Sequence, residues 1–184
     1  MTNHEGNVIA ELTADHREVE KLFEEYAALD AGNGDERRRV ADEFTIELVR
    51  HSVAEEQHLY PAVRARVPGG QAMADKEQAE SARVEKLLKQ IETADSAYPG
   101  FDTLVQDLIG EVSAHVEDEE DHLFPELVDT FTQEELFTLG DEVRATKKIA
   151  PTRPHPEAGD SELVIAGAGL VDRIRDVFTG RGGS

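Results

Sequence analysis

The chain contains no cysteine. That excludes a disulfide framework, a thiolate-bound metal and an iron–sulfur cluster. No stretch approaches the ~20 consecutive apolar residues that cross a bilayer, and the N-terminus lacks an apolar signal segment. The expectation is a cytoplasmic protein with no membrane partner. Basic residues are scarce as well: 19 Lys and Arg stand against 40 Asp and Glu, for a formal net charge of −21. No basic patch of any size is left for nucleic acid or an anionic membrane. Such acidity favours the approach of cations, although a solvated acidic surface needs no functional reason. At 184 residues the chain has the length of one domain with a real core.

What the chain does have is one eleven-residue stretch used twice. Residues 51–61 read H-S-V-A-E-E-Q-H-L-Y-P, and residues 115–125 read H-V-E-D-E-E-D-H-L-F-P. His51 pairs with His115, Glu55 with Glu119, Glu56 with Glu120, His58 with His122 and Pro61 with Pro125. Upstream, Val40, Phe44 and Leu48 match Leu104, Leu108 and Val112 at the same 64-residue offset. Side chains three and four apart share a helix face, their β-carbons ~5–6 Å apart. His51, Glu55, His115 and Glu119 therefore lie on the same faces as the apolar positions and point into a core. A charged side chain left unpaired there is costly. A metal ion that takes imidazole and carboxylate together removes that cost. The motif predicts a metal site inside a helical bundle.

Taken in order, the chain predicts four long helices. The first spans about Val8 to Leu29, where Val8, Leu12, Val19, Phe23 and Tyr26 form an apolar stripe with His16 in its middle. The loop D-A-G-N-G-D ends it, and Asp35 is the expected cap of the second helix, which carries the first motif to Arg66 with Pro61 inside it or at a kink. Pro68-Gly69-Gly70 is a stop. The third helix covers about Gln71 to Ala94, the fourth Asp102 to Val128, and a shorter fifth Gln133 to Lys147. The fold class is thus all-α, an up-down-up-down four-helix bundle over residues 1–148. Residues 149–184 read as a proline-rich extension, with His155 solvated between two prolines and a small amphipathic helix over Gly167 to Phe178. A monomer or weak dimer is expected.

One inward histidine on the first helix, followed by two copies of H-x-x-x-E that each run into E-x-x-L-[YF]-P, resembles the hemerythrin-like HHE cation-binding family. The similarity spans about residues 8–128, and the tail A-P-T-R-P-H-P followed by G-A-G-L-V-D-R-I-R-D is similar to that of long bacterial members. The resemblance implies a non-heme di-iron centre with an oxo or hydroxo bridge, held in a four-helix bundle. By position, His16, His51 and His115 become terminal ligands, and Glu55 and Glu119 the bridging carboxylates.

The correspondence fails on the third helix, which in that family supplies a histidine to the second iron. No histidine occurs between His58 and His115, and Ser81 stands at the expected position. Three explanations stay open. Glu77 or Glu85, each four residues from Ser81, supplies an oxygen; His58 or His122, three residues past the motif glutamates on the inward face, binds instead; or the second iron is weakly held. His58 and His122 have a second role open to them, hydrogen-bonded to the carboxylates or to the bundle edge. Tyr26 and Tyr60 have two roles open to them, at the rim of the site or, as is commoner for a tyrosine at helical spacing, packed in the core, while Glu56 and Glu120 face outward by geometry and read as solvated. Iron held by nitrogen and oxygen with an open position implies dioxygen, hydrogen peroxide or nitric oxide as the small-molecule partner. Three functions compete: oxygen or nitric oxide binding in stress response or sensing, catalase-like peroxide disproportionation, and iron storage or handling.

Overall fold

Residues 6–154, apart from 31 and 98, are described by the computed structural model, and every regular element among them is helical. Helix α1 (Val8–Ala28) starts at Asn7, whose side chain accepts from the Ala10 N–H at 3.0 Å, satisfying one of the free donors of the first turn. Helix α2 (Gly34–Ala54) continues through a π-turn (Glu55–Leu59) into α3 (Tyr60–Arg66). Its cap is not Asp35: the helix begins one residue earlier, after Asn33, with no side-chain cap bond. Helix α4 (Gly70–Thr93) follows, then α5 (Phe101–Asp118), a second π-turn (Glu119–Leu123) and α6 (Phe124–Thr130). Helix α7 (Gln133–Ile149) opens on a capping box between Thr132 and Glu135.

Four rods, α1, α2–α3, α4 and α5–α6, make the up-down-up-down bundle. The short links put α1 against α2 and α4 against α5, while α7 packs across α1 and α2. The compact unit ends at Pro154. Most of the extension over 149–184, including His155 and the stretch expected to form an amphipathic helix, lies outside the described residues.

The π-turns are the local feature that places the site. In each, a backbone N–H reaches five residues back: Tyr60 to the Glu55 carbonyl and Phe124 to the Glu119 carbonyl. Each turn therefore contains one residue more than an α-turn, which rotates everything after it by about 100°. Pro61 and Pro125 fall directly behind, in the first turn of α3 and α6, where a missing N–H costs least. The rods cross their prolines without ending. The rotation carries the residue five past each motif glutamate onto the inward face, so Tyr60 and Phe124 join Leu59, Leu123, Val63 and Leu127 in the core.

At α4, the expected stop of Pro68-Gly69-Gly70 is a tight re-entry instead. Gly69 takes φ 74° in the left-handed region and Gly70 is already the first residue of α4. A β-carbon on Gly70 would stand 2.1 Å from the Val63 carbonyl oxygen, so α3 and α4 approach backbone to backbone there.

Candidate metal centre

Three rods deliver the histidines. His16 comes from the middle of α1, His51 from the end of α2 and His115 from the end of α5, all buried. The π-turns deliver Glu55 and Glu119, and α4 delivers Glu77; all three carboxylates are 0% exposed. Nitrogen and oxygen atoms of His51, Glu55, His115 and Glu119 lie within 4.8 Å of one another. His51 Nε2 is 3.1 Å from Glu55 Oε1, His16 Nε2 is 3.3 Å from Glu119 Oε2, and His115 Nε2 is 3.8 Å from Glu119 Oε1. Glu77 Oε2 closes on His115 Nδ1 at 3.0 Å.

Each imidazole is held from behind by an outer carboxylate. His16 Nδ1 is 2.8 Å from Glu120, His51 Nδ1 is 3.2 Å from Asp15, and His115 Nδ1 is 3.4 Å from Glu80. Each of these carboxylates meets a cation in turn: Glu120 with Arg17, Asp15 with Lys147, and Glu80 with Arg83 and Lys76. A carboxylate at Nδ1 accepts a hydrogen bond from the ring N–H, which fixes the proton there and leaves Nε2 as a lone pair aimed inward. The interior then consists of acceptors facing acceptors. His16 Nε2, Glu55 Oε1 and both oxygens of Glu77 and Glu119 are buried without a hydrogen-bond partner. Buried polar groups are ordinarily paired, and a cation at the centre would satisfy them all. The donor set of imidazole nitrogen and carboxylate oxygen fits a first-row metal.

Without a metal the same cluster has to hold protons. Burial pulls His51 down, but Glu55 and Asp15 push it well above the usual histidine range. His115 is likewise pulled down by burial and pushed up to about 9 by Glu77, Glu119 and Glu55. Burial raises Glu119, helped by the neighbouring charge of Glu55, and lifts Glu77 to about 7. Burial pushes Glu55 up as well, but the charges of His51 and His115, with the hydrogen bonds to His51 and Glu119, together take it down to about 2.

Several expected neighbours stand elsewhere. The π-turn rotation takes His58 off the inward face: its Nε2 is 2.7 Å from Thr146 Oγ1 on α7, and its Nδ1 faces Glu142. His122 is 69% exposed and pairs with Asp118. Neither reaches the cluster, so neither replaces the third-helix histidine. Glu85, half-buried on α4, does not join the cluster either. Tyr26 lies toward the far end of α1, bonded to Asp102 and Arg37. Tyr60 is fully buried instead of lying at the rim, donating to Glu55 Oε2 at 3.0 Å and meeting Ser81 Oγ at 3.1 Å. Glu120 is not solvated but turned back onto His16. The outer carboxylates Asp15 and Glu80 carried one sequence signal, their position three or four residues from, or next to, an inward site residue.

Beside the cluster is a cavity of about 20 Å³, walled by Val19, Leu48, Val84, Val112 and Val116 and reached by Ser81 and the three histidines. That is room for a water-sized molecule.

Similarity to known proteins agrees with this geometry. A hemerythrin-like protein of Schizosaccharomyces pombe, itself uncharacterized, is 30% identical over 170 residues, covering 89% of this chain and 82% of that one. A Nostoc protein named DNA nickase is 29% identical over 144 residues, 77% of this chain but 39% of its own length. The crystal structure of a hemerythrin HHE cation binding domain-containing protein from Mycobacterium kansasii shares the fold, with a TM-score of 0.68 over 78% of this chain and 86% of that one, at 24% identity. No helix among the described residues is long and apolar enough to cross a membrane. The family model of the hemerythrin HHE cation binding domain matches residues 7–127, a span that contains every buried histidine and glutamate of the cluster, and the chain belongs to that family.

Proposed function

We propose that the chain is a non-heme di-iron protein that binds dioxygen or nitric oxide, in oxidative or nitrosative stress response or sensing. The observation that carries this reading is the inward set of unpaired lone pairs on His16, Glu55, Glu77 and Glu119, completed by His51 and His115. Three histidines and three carboxylates are a donor set for iron rather than for magnesium or calcium, which prefer oxygen alone. Glu77 takes the place of the third-helix histidine: it is fully buried, four residues before Ser81, with Oε2 3.0 Å from His115 Nδ1 and Oε1 without a partner. Glu55 and Glu119, with the three histidines and Glu77, would hold the ions. Iron, when bound, would supply an open coordination position and the electrons that dioxygen or nitric oxide draws on.

The protein's own part is to hold and to exclude. Asp15, Glu80 and Glu120 keep the three imidazoles in one tautomer, and Tyr60 holds Glu55 by its hydroxyl. The cavity beside the histidines, walled largely by valines, has room for a small molecule such as dioxygen or nitric oxide. A second reading, peroxide disproportionation, is favoured by one observation: the Ser81 hydroxyl on the cavity wall is backed by the Tyr60 hydroxyl at 3.1 Å, a pair able to relay a proton to a bound peroxide.

The test is metal analysis with an optical spectrum, recorded before and after exposure to air, nitric oxide and peroxide. Between one and two irons per chain are expected, with a spectral change on air or nitric oxide. Sustained oxygen evolution from peroxide would select the second reading. Full occupancy by zinc, with no iron after iron-supplemented expression, would overturn both.

A further inference from the structure

Of the four cations behind the imidazoles, three belong to exposed surface chains. The side chains of Arg17, Arg83 and Lys76 are 46%, 51% and 51% exposed. The fourth is different. Lys147 is 16% exposed, its ammonium sits against Asp15 Oδ1, and it also reaches Glu11 Oε1 at 3.2 Å. The other oxygen of Asp15 meets His51 Nδ1 at 3.2 Å. Lys147 also comes from α7, beyond the 7–127 span that defines the family domain. A carboxylate on a short side chain can rotate. One oxygen fixed by an ammonium leaves the other fixed on the imidazole.

We infer that Lys147 is a positioning residue for the metal centre, locking Asp15 so that His51 presents Nε2 to Glu55. Helix α7 is then a working part of the site and not an appendage to the bundle. The neighbourhood supports this. Thr146, one residue earlier, bonds His58 at the first π-turn, and Arg144 binds both Glu11 and the Gly6 carbonyl. These contacts, all within about one turn of α7, hold it against α1 and against the turn that carries Glu55. Lys147 and Asp15 exert their effect through hydrogen bonds that are mostly shielded from solvent, whereas Arg17 and Arg83 act through water-screened pairs worth little.

The inference rests on the iron reading, and the experiment separates the two. Iron release from the wild type to a mild chelator is compared with release from Lys147→Met, Lys147→Arg, Asp15→Asn and the Lys147→Met/Asp15→Asn double variant. Methionine keeps the apolar stem and removes the charge. Outer partners of metal ligands are worth about 10–100-fold in affinity, so Lys147→Met is expected to release iron about 10-fold faster, with Lys147→Arg restoring slow release. Because Lys147 acts through Asp15, the double variant is expected to match Asp15→Asn alone. A metal-independent readout accompanies this: the His51 Nδ1–H proton resonance of the metal-free protein, sharp in the wild type and broadened by exchange in Lys147→Met. Equal release by Lys147→Met and wild type, or the same acceleration with and without Asp15, would overturn the inference. So would a His51 resonance indifferent to Lys147, which also decides the matter if the wild type proves to hold no iron.

Discussion

Replacing Tyr60 by phenylalanine removes one oxygen from the centre of the molecule and nothing else. The ring has a place to stay, since Phe124 occupies the matching position of the second motif, 5% exposed behind its own π-turn. The hydroxyl is lost from two partners. Ser81 can turn its own hydroxyl to the carbonyl four residues back, a bond open to any helical serine, so its loss is small. Glu55 has no such recourse: Oε1 already faces His51 Nε2 at 3.1 Å, and Oε2 loses its donor at 3.0 Å. A hydrogen bond to a charged acceptor contributes roughly 1.5–3 kcal/mol. Taking about 2 kcal/mol, and a sensitivity of roughly 2–4 °C per kcal/mol for a domain of this size, the metal-free protein is expected to melt about 4–8 °C lower. Calorimetry of metal-free Tyr60→Phe against wild type measures it, with Phe124→Tyr as the partner experiment. A metal-free Tyr60→Phe protein melting within 1 °C of wild type, a margin set by the ~2 kcal/mol at stake, would show that Tyr60 does not carry Glu55.

The remaining expectations concern the metal and α4. Stripping the metal leaves a protein whose stability falls with rising pH. Glu77 (raised to about 7) and His115 (about 9) bind protons in the folded state that the unfolded chain gives up earlier, so their contribution is full below ordinary glutamate and histidine values and lost by about pH 9. Glu55, depressed to about 2, acts oppositely and loses its contribution as pH falls below the ordinary carboxylate range, so the metal-free melting temperature is expected to peak on the mildly acid side. The loaded protein is expected to melt higher near neutrality, with the gap closing in acid; equal melting of both forms at neutral pH would refute buried ligation. Glu77→Ala is expected to lower iron content and Glu85→Ala to leave it unchanged, and the reverse would refute the role given to α4. Ser81→His is expected to cost about 1–3 kcal/mol by overpacking, because Ser81 is 3% exposed and has the Tyr60 hydroxyl 3.1 Å from its own; an unchanged urea midpoint would show that the neighbours make room for the imidazole.

The bundle and the cluster were largely legible because the chain repeats itself. Two copies of one motif, each continuous with an apolar stripe, fix the faces of α2 and α5, and the stripe around His16 fixes α1. What escaped follows from one local departure. A helix read at constant angle keeps His58 and His122 inside and leaves Tyr60 at the edge. One extra residue in each π-turn reverses this, and nothing in E-E-Q-H-L or E-E-D-H-L announces a five-residue bond except the proline just behind it. The choice between Glu77 and Glu85 had no sequence solution, since both stand four residues from Ser81. The outer carboxylates were hidden for another reason. Asp15, Glu80 and Glu120 look like solvated acids in a chain of 40, and only the fold shows which acids have a histidine within reach.

The close approach at Gly70 reaches further than the turn it makes. Val63 lies one turn past Tyr60, so the rod that presents Glu55 and the rod that presents Glu77 touch backbone to backbone at this point and diverge from it. Any side chain at residue 70 would have to push α4 back by about 1 Å to regain ordinary contact, and Glu77 sits only about 10 Å further along the same rigid helix. Metal–ligand bonds tolerate about 0.2 Å. A hydrogen atom at residue 70 therefore acts as the caliper that sets the width of the metal centre, and the reach of the α4 carboxylate is gauged by a residue that never touches it.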